Sequence, residues 1–565
     1  MAAVPGSGDG VALAERSVAR FIVDELATWG CRVVFGVVGD AILEFAAALG
    51  EQSTIRFVTT RHEEAAALMA SAYAKLTGEI AACTATTGPG AAHLVNGLAD
   101  AHADRAGVIA ITGQVPTAKL GSRYKQYIDQ GLLFAPVTDF SATLAAPDGV
   151  RGILQEALRI SRLGGVSHLA VPKDLWRQPV SAPPIGPQPF LRTPAASAAE
   201  VLDEAAARIS RAERPMFLVG KGAASAITPL LELAERVGAG VAHTLTMAGA
   251  VPAAHPLAVG AVGEGGSEAA ARLFGSADLA VRIGANWWPE PWLPGALPVL
   301  DIDVIPANVG LGVPPAFGLV GDTAQVLPQL LARVPYRPNE AWREAIARER
   351  AAWEARLAAE AAQPATAGQV SPASLIAALS AALPADAVIC LDVGEFVLWF
   401  NRHFRGRGQW VLISGMWRSM GFGLPAAIAA ALAFPERPVI ALVGDGGLAM
   451  TLAEWWTALQ HGLRLGVVVV DNGLLAMEHH QMALSGLHPV GTALANPDFA
   501  ALMRVGIRGG ALPVFTARVD SKEALTTALE NALAHPGPWL IDVLTADLCV
   551  PTLAEAARNP ALARA

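Results

Sequence analysis

The amino-acid sequence predicts an α/β protein built from three doubly wound parallel-sheet domains, and three observations carry that expectation. Short Val/Ile-rich runs alternate with Ala/Leu-rich amphipathic stretches, the pattern of βα units on mainly parallel sheets. Two breaks, Pro183 to Pro194 and Pro364 to Gly368, divide the alternation into three segments. The length of 565 residues suits three or four domains at roughly 100–200 residues each.

The first segment is placed over residues 13–182. Strands are expected at Val33–Val37, Ile55–Val58, Ile80–Thr84, Val108–Thr112 and His168–Val171, and helices over Leu13–Thr28 and Glu63–Leu76. The second, residues 197–335, opens on the strand Pro215–Val219, and a charged helical piece from Asn339 to Ala362 follows it. The third, residues 371–550, holds strands at Val439–Val443, Gly466–Val470 and Trp539–Val543. The longest apolar run, Gly421 to Phe434, is shorter than the ~18 residues of a membrane span. It is alanine-rich, contains Pro425, and reads as a buried helix. No short-period repeat is visible, yet the first and third segments share one βα grammar.

Composition narrows the function. The chain is 53% hydrophobic and only 16% charged, with a net charge of −9. No run of Lys or Arg could follow a phosphate backbone, so no nucleic-acid partner is expected. Four scattered cysteines (Cys31, Cys83, Cys390, Cys549) lack CxxC spacing and read as thiols in a reducing compartment. The opening MAAVPGSGDG has no basic-then-apolar signal pattern, and the tail Pro551–Ala565 contains Pro560, against a membrane-binding helix. A cytoplasmic protein without a membrane partner is expected.

The third segment carries the most specific chemistry. The strand PVIALV runs into Gly444-Asp445-Gly446-Gly447; a helical stretch, the strand GVVVV and Asp471-Asn472-Gly473 follow. Glycines let a backbone approach a phosphate and open a helix whose first amides favour an anion. A diphosphate also needs a bridging cation, and Asp445 and Asn472 offer hard oxygen ligands suited to Mg²⁺ or Ca²⁺. The two stand 27 residues apart, one strand–helix–strand unit, at the carboxyl ends of strands where open α/β sheets bind ligands. The bland alternative is an ordinary βα turn beside an unrelated Asp-Asn-Gly turn.

In the first segment, Thr60-Arg61-His62-Glu63-Glu64 stands at a strand-to-helix turn, and Thr86-Thr87-Gly88-Pro89-Gly90 follows the next strand. Either glutamate could serve the first turn of the helix, where an acid is favourable.

Together these motifs resemble the signature of the thiamine diphosphate (ThDP) enzymes, over nearly the whole chain from Leu13 to about Val550. The resemblance implies two ThDP-binding folds flanking a central Rossmann-like domain. It implies Mg²⁺ held by Asp445, Asn472 and the backbone carbonyl of Leu474, although the family usually shows Asn-Asn where this chain has Asp471-Asn472. Glu63 is the implied carboxylate that shares a proton with the aminopyrimidine ring, with Glu64 left to the helix. Met420, in Ser419-Met420-Gly421, matches the apolar wedge beneath the bent cofactor; a Met at helical spacing is otherwise core. Gly39, Gly88, Val393, Gly394, Gly444, Gly446, Gly447, Leu475 and Met477 complete the implied cofactor contacts, and Gln126 matches a substrate-pocket glutamine.

The closest branch is pyruvate oxidase, on Gly88 to Asp100 and on Leu391-Asp392-Val393-Gly394 followed by Trp399, with acetolactate synthase next. That branch implies decarboxylation of a pyruvate-like 2-oxo acid to an enamine, followed by oxidation, by carboligation, or by simple release of an aldehyde. A non-catalytic scaffold of the same fold is the rival from another class. FAD is implied at Gly284 to Pro289 and Leu300-Asp301-Ile302-Asp303, where a strand-end carboxylate suits ribose hydroxyls, though many relatives bind ADP or nothing there. Because Glu63 and Asp445 lie in different domains, the family's arrangement implies a homodimer or homotetramer.

The chain departs from that branch at Asp40, Ala41, Lys125, Trp417, Arg418, Glu478, His479, His480 and Gln481. Lys125 and Arg418 either add charge for a substrate with a second anionic group or are solvated surface cations. One of the two adjacent histidines could relay protons near neutral pH, but they point in different directions on a helix.

Overall fold

The computed structural model describes residues 16–187, 197–290, 292–365, 367–506 and 512–552. It contains three six-stranded sheets, each parallel throughout. The first runs Arg56–Thr59, Val33–Gly36, Ala81–Ala85, Val108–Gln114, Val166–Pro172, Phe140–Thr143. The third runs Trp410–Leu412, Val388–Leu391, Val439–Gly444, Gly466–Asp471, Trp539–Leu544, Phe515–Val519. Counted along the chain, both have the order 2-1-3-4-6-5, the structural form of the shared grammar. The central sheet runs Ala258–Ala261, Gly240–His243, Pro215–Val219, Leu279–Ile283, Val299–Asp303, Phe317–Val320. Its order, 3-2-1-4-5-6, is that of a dinucleotide-binding fold. The α/β class with three doubly wound sheets therefore holds.

Central strands such as Val108–Gln114 and Val439–Val443 are buried on both faces, as expected where helices cover both sides of a parallel sheet. Each sheet has its own apolar core, with Phe21, Phe45 and Trp176 in the first, Phe217 and Phe274 in the second, and Phe400 and Trp539 in the third. Full burial of such a side chain stabilises by about 1.5–3 kcal/mol. The described residues form two compact units: one holds the first sheet, the other holds the second and third.

Most expected elements lie within a residue or two of their places. The expected strand Ile80–Thr84 is shifted to Ala81–Ala85, because pairing with its neighbour begins at Ala81 opposite Val108. The first helix starts at Val18, not Leu13. Ser17 caps it by accepting the Arg20 amide, and Arg16–Ser17 pair antiparallel with Pro179–Val180. Residues Leu13 to Glu15, the break from residue 188 to 194 and the tail from 553 lie outside the described residues. Asn339 caps the helix Glu340–Ala362, and the alanine-rich run forms the buried helix Gly423–Ala433 against Val439–Gly444. No described helix is long and apolar enough to cross a membrane.

Candidate active site

In the third sheet, the order in which strands are added reverses between the strands Val388–Leu391 and Val439–Gly444. Such a switch point leaves a crevice at the carboxyl ends of the strands. A cleft of about 930 Å³, part of it open to solvent, lies there. Every C-terminal residue singled out for cofactor or metal, from Val393 and Gly394 through Met420, Gly444–Gly447, Asn472, Leu474 and Leu475 to Met477, lines it.

Asp445 sets the geometry. Its Oδ1 accepts the Gly446 amide at 2.8 Å, and its Oδ2 accepts the Gly473 amide at 2.8 Å and Asn496 Nδ2 at 2.7 Å. The Gly473 bond draws the 472–474 loop against the carboxylate. There Asn472 Oδ1 accepts the Leu474 amide at 3.1 Å. Burial pushes the Asp445 carboxyl above its ordinary value, with these donors opposing. The side-chain ligand atoms that Asp445 and Asn472 bring to the cleft are hard oxygens. A Cβ on Gly447 would stand 2.9 Å from Asp392 Cγ, and one on Gly446 would stand 3.1 Å from the Leu475 and Leu494 side chains and 3.5 Å from Met420 Cε. The glycines thus keep the floor of the cleft thin, and Met420 lies against it.

Two supporting residues escaped the sequence reading. Asn496 donates to both Asp445 and Asp471 Oδ1 from 51 and 25 residues away, and no local pattern marks it. Asp392 was read only as part of a motif. It is wholly buried, and its carboxylate accepts the amides of Val393, Gly421 and Gly423, so it ties the loop carrying Met420 to the strand end. Burial raises its carboxyl to about 6.

The first sheet has its switch point between Val33–Gly36 and Ala81–Ala85. Gly39 precedes the short turn Asp40–Ile42 there, packed against Thr86. Gly88 has φ +63°, and a Cβ on it would lie 2.7 Å from the Gln126 carbonyl oxygen, so only glycine fits without strain. Gln126 itself has φ +62°, an unusual backbone for a non-glycine residue, and its carbonyl accepts Thr87 Oγ1 at 3.1 Å. Its side chain is exposed.

Glu63 opens the helix Glu63–Thr77, which His62 caps by accepting the Glu64 amide. The two glutamates meet different partners. Glu64 Oε1 accepts Asn96 Nδ2 at 2.7 Å, whereas Glu63 Oε2 meets His93 Nδ1 at 2.9 Å and its Oε1 lies beside Gly90. The His62 and His93 rings stand 4.4 Å apart.

Other departures found different partners. Asp40 pairs with Lys173, while Ala41 is buried. Lys125 is exposed. Arg418 lines the cleft with φ +58°, and its charge acts on Glu264, whose carboxyl burial pushes up. A cation opposed by Glu264 is a poor anchor for a second anionic group. Glu478 lines the cleft, His479 Nδ1 bonds Thr492 Oγ1 and His480 Nδ1 bonds Glu395 Oε2.

The central switch point is closed. The Gly222 amide donates to the Gly284 carbonyl at 2.9 Å, so the Gly220–Gly222 and Gly284 turns touch directly. One of the two carboxylates expected to meet ribose is committed. Asp301 is fully buried in an ion pair with Arg282, and Asp303 Oδ1 accepts the Ile305 amide at 2.8 Å. Asp301 is therefore not available to the ribose hydroxyls that the sequence suggested for it.

Comparison with known proteins agrees with the fold. Residues 16–133, 202–330 and 392–543 match, in order, the N-terminal TPP binding domain, the central domain and the C-terminal TPP binding domain of the thiamine pyrophosphate enzymes. A Bacillus subtilis protein, YdaP, named as thiamine pyrophosphate-containing, is 33% identical over 94% of this chain and 92% of its own. The acetolactate synthase isozyme 1 large subunit of Escherichia coli is 32% identical over 93% of each chain. AruI of Pseudomonas aeruginosa, whose name makes it a 2-ketoarginine decarboxylase, is 32% identical over 86% of this chain and 87% of its own.

Proposed function

We propose that this chain, which belongs to the thiamine pyrophosphate enzyme family, decarboxylates a short 2-oxo acid and passes the remaining fragment to a carbonyl acceptor. The observation that carries the reading is the single cleft in which Asp445, the 472–474 loop and Met420 converge over a glycine floor.

The residues present fit ThDP with a divalent cation. Asp445, Asn472 and the Leu474 carbonyl would hold Mg²⁺, a choice favoured by an all-oxygen donor set. Gly444, Gly446 and Gly447 would admit the diphosphate, Val393, Gly394, Leu475 and Met477 would wall it in, and Met420 would support the rings. ThDP supplies the electron sink that lets a carbonyl carbon part from its carboxylate. Glu63 would hold a proton at its carboxyl oxygen against the aminopyrimidine nitrogen, with His93 steadying that carboxylate. Gly39, Gly88 and Gln126 would shape the pyrimidine and substrate end.

In the reaction the carbon–carbon bond to the carboxylate breaks and CO₂ leaves. The two bonding electrons remain with the former carbonyl carbon, which bonds to the acceptor carbonyl carbon, and the acceptor oxygen takes a proton. The acetolactate synthase among the relatives favours this outcome over oxidation. An oxidase would need an electron acceptor, and Asp301, one of the two carboxylates expected at FAD, is spent on Arg282. A homodimer, in which Glu63 of one copy serves the cleft of the other, is part of the reading.

The test is a calorimetric titration with ThDP and Mg²⁺, followed by product analysis with a panel of short 2-oxo acids. Stoichiometric uptake, CO₂ release and a hydroxyketone product are expected. Absent uptake, or no CO₂ from any substrate, would overturn the proposal. An aldehyde as sole product would replace carboligation with simple decarboxylation, and stoichiometric flavin absorption with an oxidised product would restore the oxidase.

A further inference from the structure

Beside the cofactor cleft, three chemically different donors converge from three separate segments. Glu395 stands just before the helix Phe396–His403, His480 lies on the helix Ala476–Leu484, and Cys549 lies beyond the strand Trp539–Leu544. A carboxylate oxygen, a ring nitrogen and the sulfur of these residues all lie within 4.8 Å of one another. Glu395 is only 4% exposed.

The surroundings orient each donor. Glu395 Oε1 accepts the Val550 amide at 2.8 Å, which turns Oε2 toward His480 Nδ1 at 2.5 Å. The far nitrogen of the ring, Nε2, meets Asp547 Oδ1 at 2.9 Å. A carboxylate on the outer nitrogen of an imidazole is the usual partner of a metal-bound histidine, because it sets the tautomer and the ring plane. Trp399 Nε1 donates to the Leu548 carbonyl at 3.3 Å and holds the same C-terminal segment in place.

We propose that Glu395 Oε2, His480 Nδ1 and Cys549 Sγ form a second divalent-metal site, selective for zinc, with Asp547 orienting the histidine. A thiolate, an imidazole and a carboxylate suit Zn²⁺, whereas Mg²⁺ and Ca²⁺ take oxygen donors. The site is therefore chemically distinct from the oxygen cage at Asp445. Three protein donors leave at least one coordination position for water. Glu395 and Leu548 line the cofactor cleft, so a metal here would fasten the C-terminal segment and the helix after the 472–474 loop to its wall. Without metal, the same groups form a hydrogen-bonded Glu–His–Asp chain.

The test uses the full chain, stripped with chelator and returned to excess Mg²⁺ so that oxygen sites are filled. Co²⁺ is then titrated as a spectroscopic probe. One equivalent should give thiolate-to-cobalt charge-transfer absorption and tetrahedral visible bands, displaced by Zn²⁺ and not by more Mg²⁺. Cys549→Ser should remove the charge-transfer band. Asp547→Asn should keep the band while weakening cobalt binding about 10–100-fold. In the wild-type chain, where folding of a variant is not at issue, Zn²⁺ should slow alkylation of Cys549. A first equivalent of Co²⁺ without the charge-transfer band, a band that survives Cys549→Ser, or alkylation indifferent to Zn²⁺ would overturn the site. Because none of these readouts needs ThDP or turnover, their failure is separable from failure of the proposed reaction.

Discussion

The first and third sheets share one strand order and one kind of switch point, yet the loops there carry opposite chemistry. In the first, the crevice presents a carboxylate, Glu63, steadied by His93, together with a backbone pinched at Gly88 and Gln126. In the third, it presents the Asp445 carboxylate, with the 472–474 loop drawn against it by the Gly473 amide, above a floor of glycines. The shared topology provides a place for a ligand; the few loop residues decide which end of a cofactor each place could take. This is why fold alone is a weak guide to function.

The comparison yields predictions of decreasing size. Asp445→Ala removes the proposed metal ligand and also frees Gly473 and Asn496, so ThDP uptake in calorimetry should become unmeasurable and turnover should fall by more than about a hundredfold. Glu63→Gln should separate the two ends: uptake persists while kcat drops about 10²–10⁴-fold, the range of a lost proton-transfer group. If the two ends come from different subunits, random mixing of these inactive variants should restore activity to about a quarter of wild type, since half the dimers would regain one intact site. No recovery after refolding the mixture would place both ends in one chain.

Smaller effects sharpen the contrast. Gly88→Ala would force a side chain into a left-handed backbone and against Gln126, costing about 1–3 kcal/mol, read as a lowered Tm. The equivalent stress in the third sheet is electrostatic. Asp392 is raised to about 6 by burial, so the folded chain keeps a proton that the unfolded chain loses between the ordinary aspartate value and pH 6. Stability of the cofactor-free protein should therefore fall as pH rises through that window, and Asp392→Asn should flatten the slope in denaturant titrations at several pH values. His93→Gln should be mildest. It loses one hydrogen bond to Glu63 worth about 0.5–1.5 kcal/mol, so kcat/KM should fall by no more than about tenfold.

The α/β class and the places of the strands are legible in the chain alone, because alternation of branched aliphatic runs with amphipathic stretches records local burial on two periods. The sequence also marked Asp445 with Asn472, because their separation is one strand–helix–strand unit and both fall at strand ends. Only the tertiary structure decided that Asn496 and Asp392 brace the cleft, that Asp301 is spent on Arg282, and that His480 faces Glu395 and Cys549. Those hydrogen-bonded pairings join residues from 19 to 85 positions apart. Their partners are chosen by how sheets and loops pack, and no short-range pattern in the chain encodes that choice.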